Sequence, residues 1–264
     1  MKIKERSAHA RERAVQRLLE DAAVFRLLAL AFSYPDASTR ERIASGFSNI
    51  LAAQTQRFRR GSWGKRFRSA AVAWETVDGA LLESEHVRLF LGAGLCALRE
   101  TAYGDGRRIA GRSYELADIA GFYRAFGWKL SAAHPHLPDH LAAELEFMSV
   151  LLVKEAYALA EASDEHLEVT RDATKAFLES HLGRWIGALV GVLVEHGAPV
   201  AYVALADLVH DSVGCQCRRF RIAPRLADGR GPDDFMQEDA FNCPRVGASP
   251  AISELTLNDD RSIR

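Results

Sequence analysis

The chain has 264 residues, with 34 Lys and Arg against 35 Asp and Glu, a formal net charge of −1. So even a balance excludes a nucleic-acid coat and a polybasic membrane binder, which both need a strong positive field. Hydrophobic residues at 48% and charged residues at 26% fit a globular chain with a sizeable core and exclude disorder throughout. Four cysteines are too few for a disulfide scaffold at this length.

The N-terminus keeps its charges through Arg17, so it reads as a charged helix face and not as a secretory signal, which needs an apolar stretch. The longest apolar run, residues 186–194, is closed by Glu195 and falls short of the ~20 residues that span a bilayer. The expectation is a cytoplasmic chain with reduced thiols and no membrane insertion.

In chain order, the first element is a helix with an apolar stripe of Val15, Leu18, Leu19, Ala22, Phe25, Leu28, Ala29 and Phe32. Tyr34-Pro35-Asp36 stops it, and Asp36 or Ser38 caps a second helix over about 39–58. A third runs over about 65–82 and a short one over 85–91. Residues 92–111 are glycine-rich and read as a loop. Residues 114–126 are helical. His134-Pro135-His136-Leu137-Pro138 breaks the chain, and Asp139 caps a long helix to about 162. Two more stretches follow, about 164–195 and 199–211. Nothing alternates as a strand would, so the fold class is all-α: one globular multi-helix bundle over 1–222. Residues 223–264, with prolines, glycines and the acids Asp233, Asp234, Glu238 and Asp239, read as an irregular C-terminal tail.

No phosphate loop, dinucleotide fingerprint or HExxH is present. Three places offer chemistry. His134, His136 and His140, with Glu144 one turn beyond His140, have side chains that can share a metal; the plainer reading is a helix start with His140 hydrogen-bonded to Glu144. Cys215 and Cys217, with Cys243 downstream and His210 or His196 nearby, suit zinc or an iron–sulfur cluster; the plainer reading is reduced cysteines in a tail, with no cofactor. Arg57, Arg59, Arg60, Lys65, Arg66 and Arg68 interleave with Phe58, Trp63 and Phe67, as in a single-strand binder; the plainer reading turns the aromatics into the core. Finally, residues 139–168 are strongly acidic, and an acidic helix with an apolar face can accept a basic, apolar peptide.

The run from Pro138 through Asp139, His140, Leu141, Glu144 and Glu146 to Met148 resembles the signature of the TorD/DmsD/NarJ family, chaperones of molybdenum-cofactor oxidoreductases. Glu85-His86-Val87-Arg88-Leu89-Phe90-Leu91-Gly92-Ala93-Gly94 is similar to the family's YxRLFxGPG element, and Thr101-Ala102-Tyr103 follows at a loop's distance. Phe32-Ser33-Tyr34-Pro35 and the residues from Phe177 to Trp185 also fit. The wording from Tyr114 to Tyr123 leans toward the branch that serves type II dimethyl-sulfoxide-reductase-like enzymes, whose clients include dehydrogenases of dimethyl sulfide or ethylbenzene and reductases of selenate or chlorate. Gly92-Ala93-Gly94 departs from Gly-Pro-Gly, and Leu98-Arg99 stands where the family has Pro and an aromatic.

The resemblance implies an all-helical, non-enzymatic chaperone. Its partner would be the apo catalytic subunit of a molybdenum oxidoreductase, or that subunit's twin-arginine leader, held back from export until the cofactor is inserted. The residues expected to meet the leader are Leu89, Phe90, Tyr103 and Met148 as apolar contacts, Glu100, Asp139 and Glu144 against arginines, and His140 at the helix start. Plain core packing is the alternative for each apolar one.

Overall fold

The computed structural model describes residues 2–53, 61–91, 95–103, 109–130 and 137–227. Helix α1 (Lys2–Ala31) is central. Leu18, Ala22, Phe25 and Leu28 of its expected stripe are buried, as is Phe32 just past its end, while Leu19 turns out to solvent at 42% exposure. Asp36 ends the following turn as an N-cap, its Oδ1 accepting from Thr39 N at 2.7 Å, and opens α2 (Ala37–Ala52). Gly46 lets α2 approach α1 closely, since a Cβ there would lie 2.6 Å from Leu27 Cδ1.

Helix α3 (Ser62–Thr76) turns Phe67, Ala70, Ala71 and Trp74 inward. It stops at Val77, because Asp78 caps a separate helix, α4 (Gly79–His86), by accepting from Leu81 N at 2.8 Å. The chain then widens into a π-turn, Val87–Leu91. A 3-10 turn, Glu100–Ala102, precedes α5 (Ile109–Ala125), which ends where Gly127 adopts φ 68°.

Helix α6 (Leu141–Ala160) packs along α1, where Ser149 Oγ donates to Ala22 O at 2.9 Å. Its cap is His140 and not Asp139: Nδ1 of His140 accepts from Ala142 N at 3.2 Å. The stretch read as continuous over 164–195 is two helices, α7 (Asp164–Ser180) and α8 (Leu182–Glu195), broken at His181. Gly183 is required at the break, because a Cβ there would lie 2.3 Å from Leu178 O.

The last helix, α9 (Val200–Phe220), runs well past Asp211. Leu205, Val209, Val213 and Cys217 are spaced four apart and buried, so the core stripe continues to its end. Residues 222–227 fold back over α8, with Ala227 N donating to Arg184 O at 2.9 Å. The remainder of the expected tail, with Cys243, lies outside the described residues.

The class is all-α, and the described residues contain no strand. Extended pairing among them is confined to one bridge between Arg99 and His140. Glu100 N donates to Asp139 O at 2.9 Å, and Leu141 N donates to Leu98 O at 2.8 Å. This bridge ties the 3-10 turn to the start of α6 and builds the site below. Among the described residues, no single helix is long and apolar enough to cross a membrane.

Candidate functional site

The bridge brings Glu100, Asp139 and Glu144 together. All three are buried, Asp139 and Glu144 completely. Each has an inward anchor. Thr101 Oγ1 donates to Asp139 Oδ2 at 2.6 Å. Trp185 Nε1 donates to Glu144 Oε2 at 3.2 Å. His181 Nδ1 meets Glu100 Oε1 and Oε2 at 3.3 and 3.2 Å, and its Nε2 meets Asp118 Oδ2 at 3.1 Å.

This is too much negative charge for a dry interior. With every carboxylate ionised, Asp139 Oδ1 and Glu144 Oε1 have no donor. Burial, and then the neighbouring charge of Glu100, push the Glu144 carboxyl well above its usual range. Burial opposes charge on His181, but the hydrogen bonds and charges of Glu100 and Asp118 outweigh it and raise its pKa above the ordinary 6.5. The site is thus a buried polar cluster in which Glu144 is pushed toward its neutral form and His181 toward its charged form.

Glu144 gives this arrangement a measurable sign. A carboxyl raised in the folded state stabilises fully below its unfolded value of about 4.5, and the gain is lost as pH rises through the folded value. Glu144→Gln keeps the shape and removes the titration. Its stability relative to the wild type is expected to rise with pH, by up to about 1.4 kcal/mol per pH unit within that window. Urea unfolding at several pH values checks this, and parallel curves for the two proteins would contradict it.

Most of the expected peptide-contact residues are covered by other side chains in this conformation. Leu89, Glu100, Tyr103, Asp139, Glu144 and Met148 are buried, and only Phe90 and His140 keep partial exposure. Tyr103 stacks on Trp185 at 5.2 Å and donates to Ala97 O at 2.8 Å. Leu89 and Met148 are core side chains. The acids were assigned to a groove because sequence shows charge and not burial.

The other expectations fare differently. His140 does not pair with Glu144: its Nδ1 serves the helix cap, and Glu144 turns to Trp185. His134 and His136 lie outside the described residues. Cys215 and Cys217 sit inside α9 and not in a tail; two apart on a helix, they point to different faces. Arg218 donates to Cys215 Sγ at 3.0 Å, and Cys217 is buried. Among the described residues, no three His, Cys, Asp or Glu are placed to hold a metal ion. Of the basic stretch, residues 57–60 lie outside the described residues; Phe67 is buried with Trp63 stacked on it at 5.4 Å, and Arg66 pairs with Asp211.

Two groups escaped the sequence analysis. His181 reads as one more polar residue in a helical stretch, and only its partners, distant in sequence, reveal it. His86 is buried beside Tyr202 OH at 3.2 Å and ringed by Tyr34, Phe90 and Tyr202; burial holds its pKa down to about 4, so it is neutral.

A model of the nitrate reductase delta subunit family matches residues 63–191, a span that holds the carboxyl cluster, His181 and the π-turn. A selenate reductase assembly chaperone of Thauera selenatis is 30% identical over 165 residues, 62% of this chain and 72% of that protein. The chain belongs to the nitrate reductase delta subunit family of assembly chaperones. A chlorate reductase assembly chaperone of Ideonella dechloratans is similar to the same extent, 30% over 165 residues and 72% of its length. A perchlorate reductase assembly chaperone of Dechloromonas aromatica strain RCB is 37% identical over 93 residues, 35% of this chain and 41% of that one. The resemblance to TorD/DmsD/NarJ chaperones is thereby borne out. In this family member the signature residues Asp139, His140 and Glu144 form a cap and a buried polar cluster.

Proposed function

We propose that this chain is a system-specific, non-enzymatic chaperone for one molybdenum-cofactor oxidoreductase. It binds the apo catalytic subunit or its twin-arginine leader and keeps it from export until the cofactor is in place. The observation that carries this reading is the match to reductase assembly chaperones over most of their length.

Because six of the eight signature side chains are buried, contact falls to the surface they support. The π-turn is the best placed. Val87 and Leu91 are 44% and 63% exposed there, Phe90 is half-buried against Phe32, His86 and Tyr202, and Tyr34 lies edge-on to His86. A π-turn inside a helical run often marks a functional position. Glu85 adds orientation: it holds Arg88 by both carboxylate oxygens, at 3.0 Å each from Nε, and a leader arginine can compete for the same carboxylate.

Titration calorimetry with leader peptides of molybdenum oxidoreductases from the same source tests the reading. The wild type is expected to bind one leader tightly. Leu91→Glu is expected to weaken that binding about 10–100-fold, the worth of one buried leucine, with unfolding unchanged because Leu91 is exposed. Failure of the wild type to bind any leader or apo-subunit contradicts the chaperone reading; full binding by Leu91→Glu contradicts only the location.

A further inference from the structure

His181 meets a carboxylate with each of its two ring nitrogens. Its Nδ1 reaches Glu100 at 3.2 Å, and its Nε2 reaches Asp118 at 3.1 Å. A neutral imidazole has one N–H and one lone pair, and only imidazolium has two donors. With both carboxylates ionised, the two contacts coexist as hydrogen bonds only while the ring holds its second proton. The three residues belong to three parts of the fold: Glu100 to the 3-10 turn, Asp118 to α5, and His181 to the break between α7 and α8.

We propose that His181 is a proton-operated latch, which fastens α5 to the α7–α8 break while it carries two N–H groups and releases it when one is lost.

The groups around the ring decide which contact fails. From α5 it faces Asp118 and the Phe122 ring at 5.5 Å; from α7, the Phe177 ring at 5.5 Å; from the 3-10 turn, Glu100. Behind Glu100 stand Glu144 of α6 and Asp139, whose charges also act on Tyr123 of α5. Glu100 is buried and has nowhere to turn, so it keeps Nδ1–H. Asp118 is exposed and can turn to water when the Nε2 lone pair faces it. The hold on α5 is complete below the ring's unfolded value of about 6.5 and is lost as pH rises through its raised folded value. The latch opens on the alkaline side.

Amide hydrogen exchange on the full chain from about pH 6 to pH 9, corrected for the intrinsic rate, tests it. Opening of Ile109–Ala125 is expected to increase by up to about tenfold per pH unit above 6.5 and then level off, while Leu141–Ala160 does not follow. Asp118→Asn is the control that keeps the fold, since the position is exposed. Its amide offers a donor or an acceptor to Nε2, so it is expected to flatten the pH dependence. A flat wild-type profile, a parallel loss in Leu141–Ala160, or an unchanged slope in Asp118→Asn would each overturn the latch.

Discussion

Trp185→Ala is expected to cost about 3–5 kcal/mol of stability, the usual range for deleting a fully buried large aromatic. The side chain has no exposed surface, and its ring stacks on Tyr103. Its indole N–H is also the donor that anchors Glu144 Oε2. Alanine therefore opens a cavity and strips a buried carboxyl of its partner. Trp185→Phe separates the two effects: it restores most of the volume and none of the hydrogen bond, so it should recover part of the loss. Guanidinium unfolding measures both, and a loss below about 1 kcal/mol for Trp185→Ala would show that the cluster is not set by this residue.

The second large effect lies about three turns further along the same face of α6. Glu155 is fully buried, and its Oε1 accepts from Arg171 Nε at 2.7 Å and from Arg219 Nη2. This one acid joins α6, α7 and α9. Removing both arginines leaves an unpaired carboxylate in the core, which typically costs about 3–5 kcal/mol. The double variant Arg171→Ala, Arg219→Ala is expected to fall in that range. Each single variant should cost much less, because the other arginine still neutralises the charge. Adding Glu155→Leu to the double variant should restore much of the stability, since the buried charge is then gone. If the triple variant is no more stable than the double one, the loss comes from packing of the arginine stems and not from charge.

The sequence made the helices legible through their apolar stripes, and the turn residues marked several ends. Asp36 announces α2, and Asp78 was an available signal for the split between α3 and α4. The break at His181 carries no proline, and Gly183 just beyond it is a weak signal inside an apolar run, so periodicity continues straight across it. The helix α9 extends beyond the expected end at Asp211 because Val213 and Cys217 continue the buried stripe of Leu205 and Val209.

The site was half legible. Glu100, Asp139, His140 and Glu144 were identified as special, and the structure does gather three of them around one bridge. Their burial is not legible in the sequence, because carboxylates default to the surface. What buries them is the pairing of Arg99 with His140, a contact between segments far apart in sequence that no local pattern encodes. His181 and Trp185 close the cluster from still further along the chain. The exposed π-turn residues Val87 and Leu91 lie inside the resembling motif, but local sequence does not separate them from the buried Leu89 and the half-buried Phe90.

Family membership places the chain among reductase assembly chaperones, and the central claim is that it acts before cofactor insertion. The most direct measurement is the molybdenum content of the client oxidoreductase, purified from cells with and without this chain. Loss of nearly all molybdenum in its absence, restored by the wild type and not by Leu91→Glu, is the expected result. A client that carries its full complement of molybdenum without this chain would contradict the account.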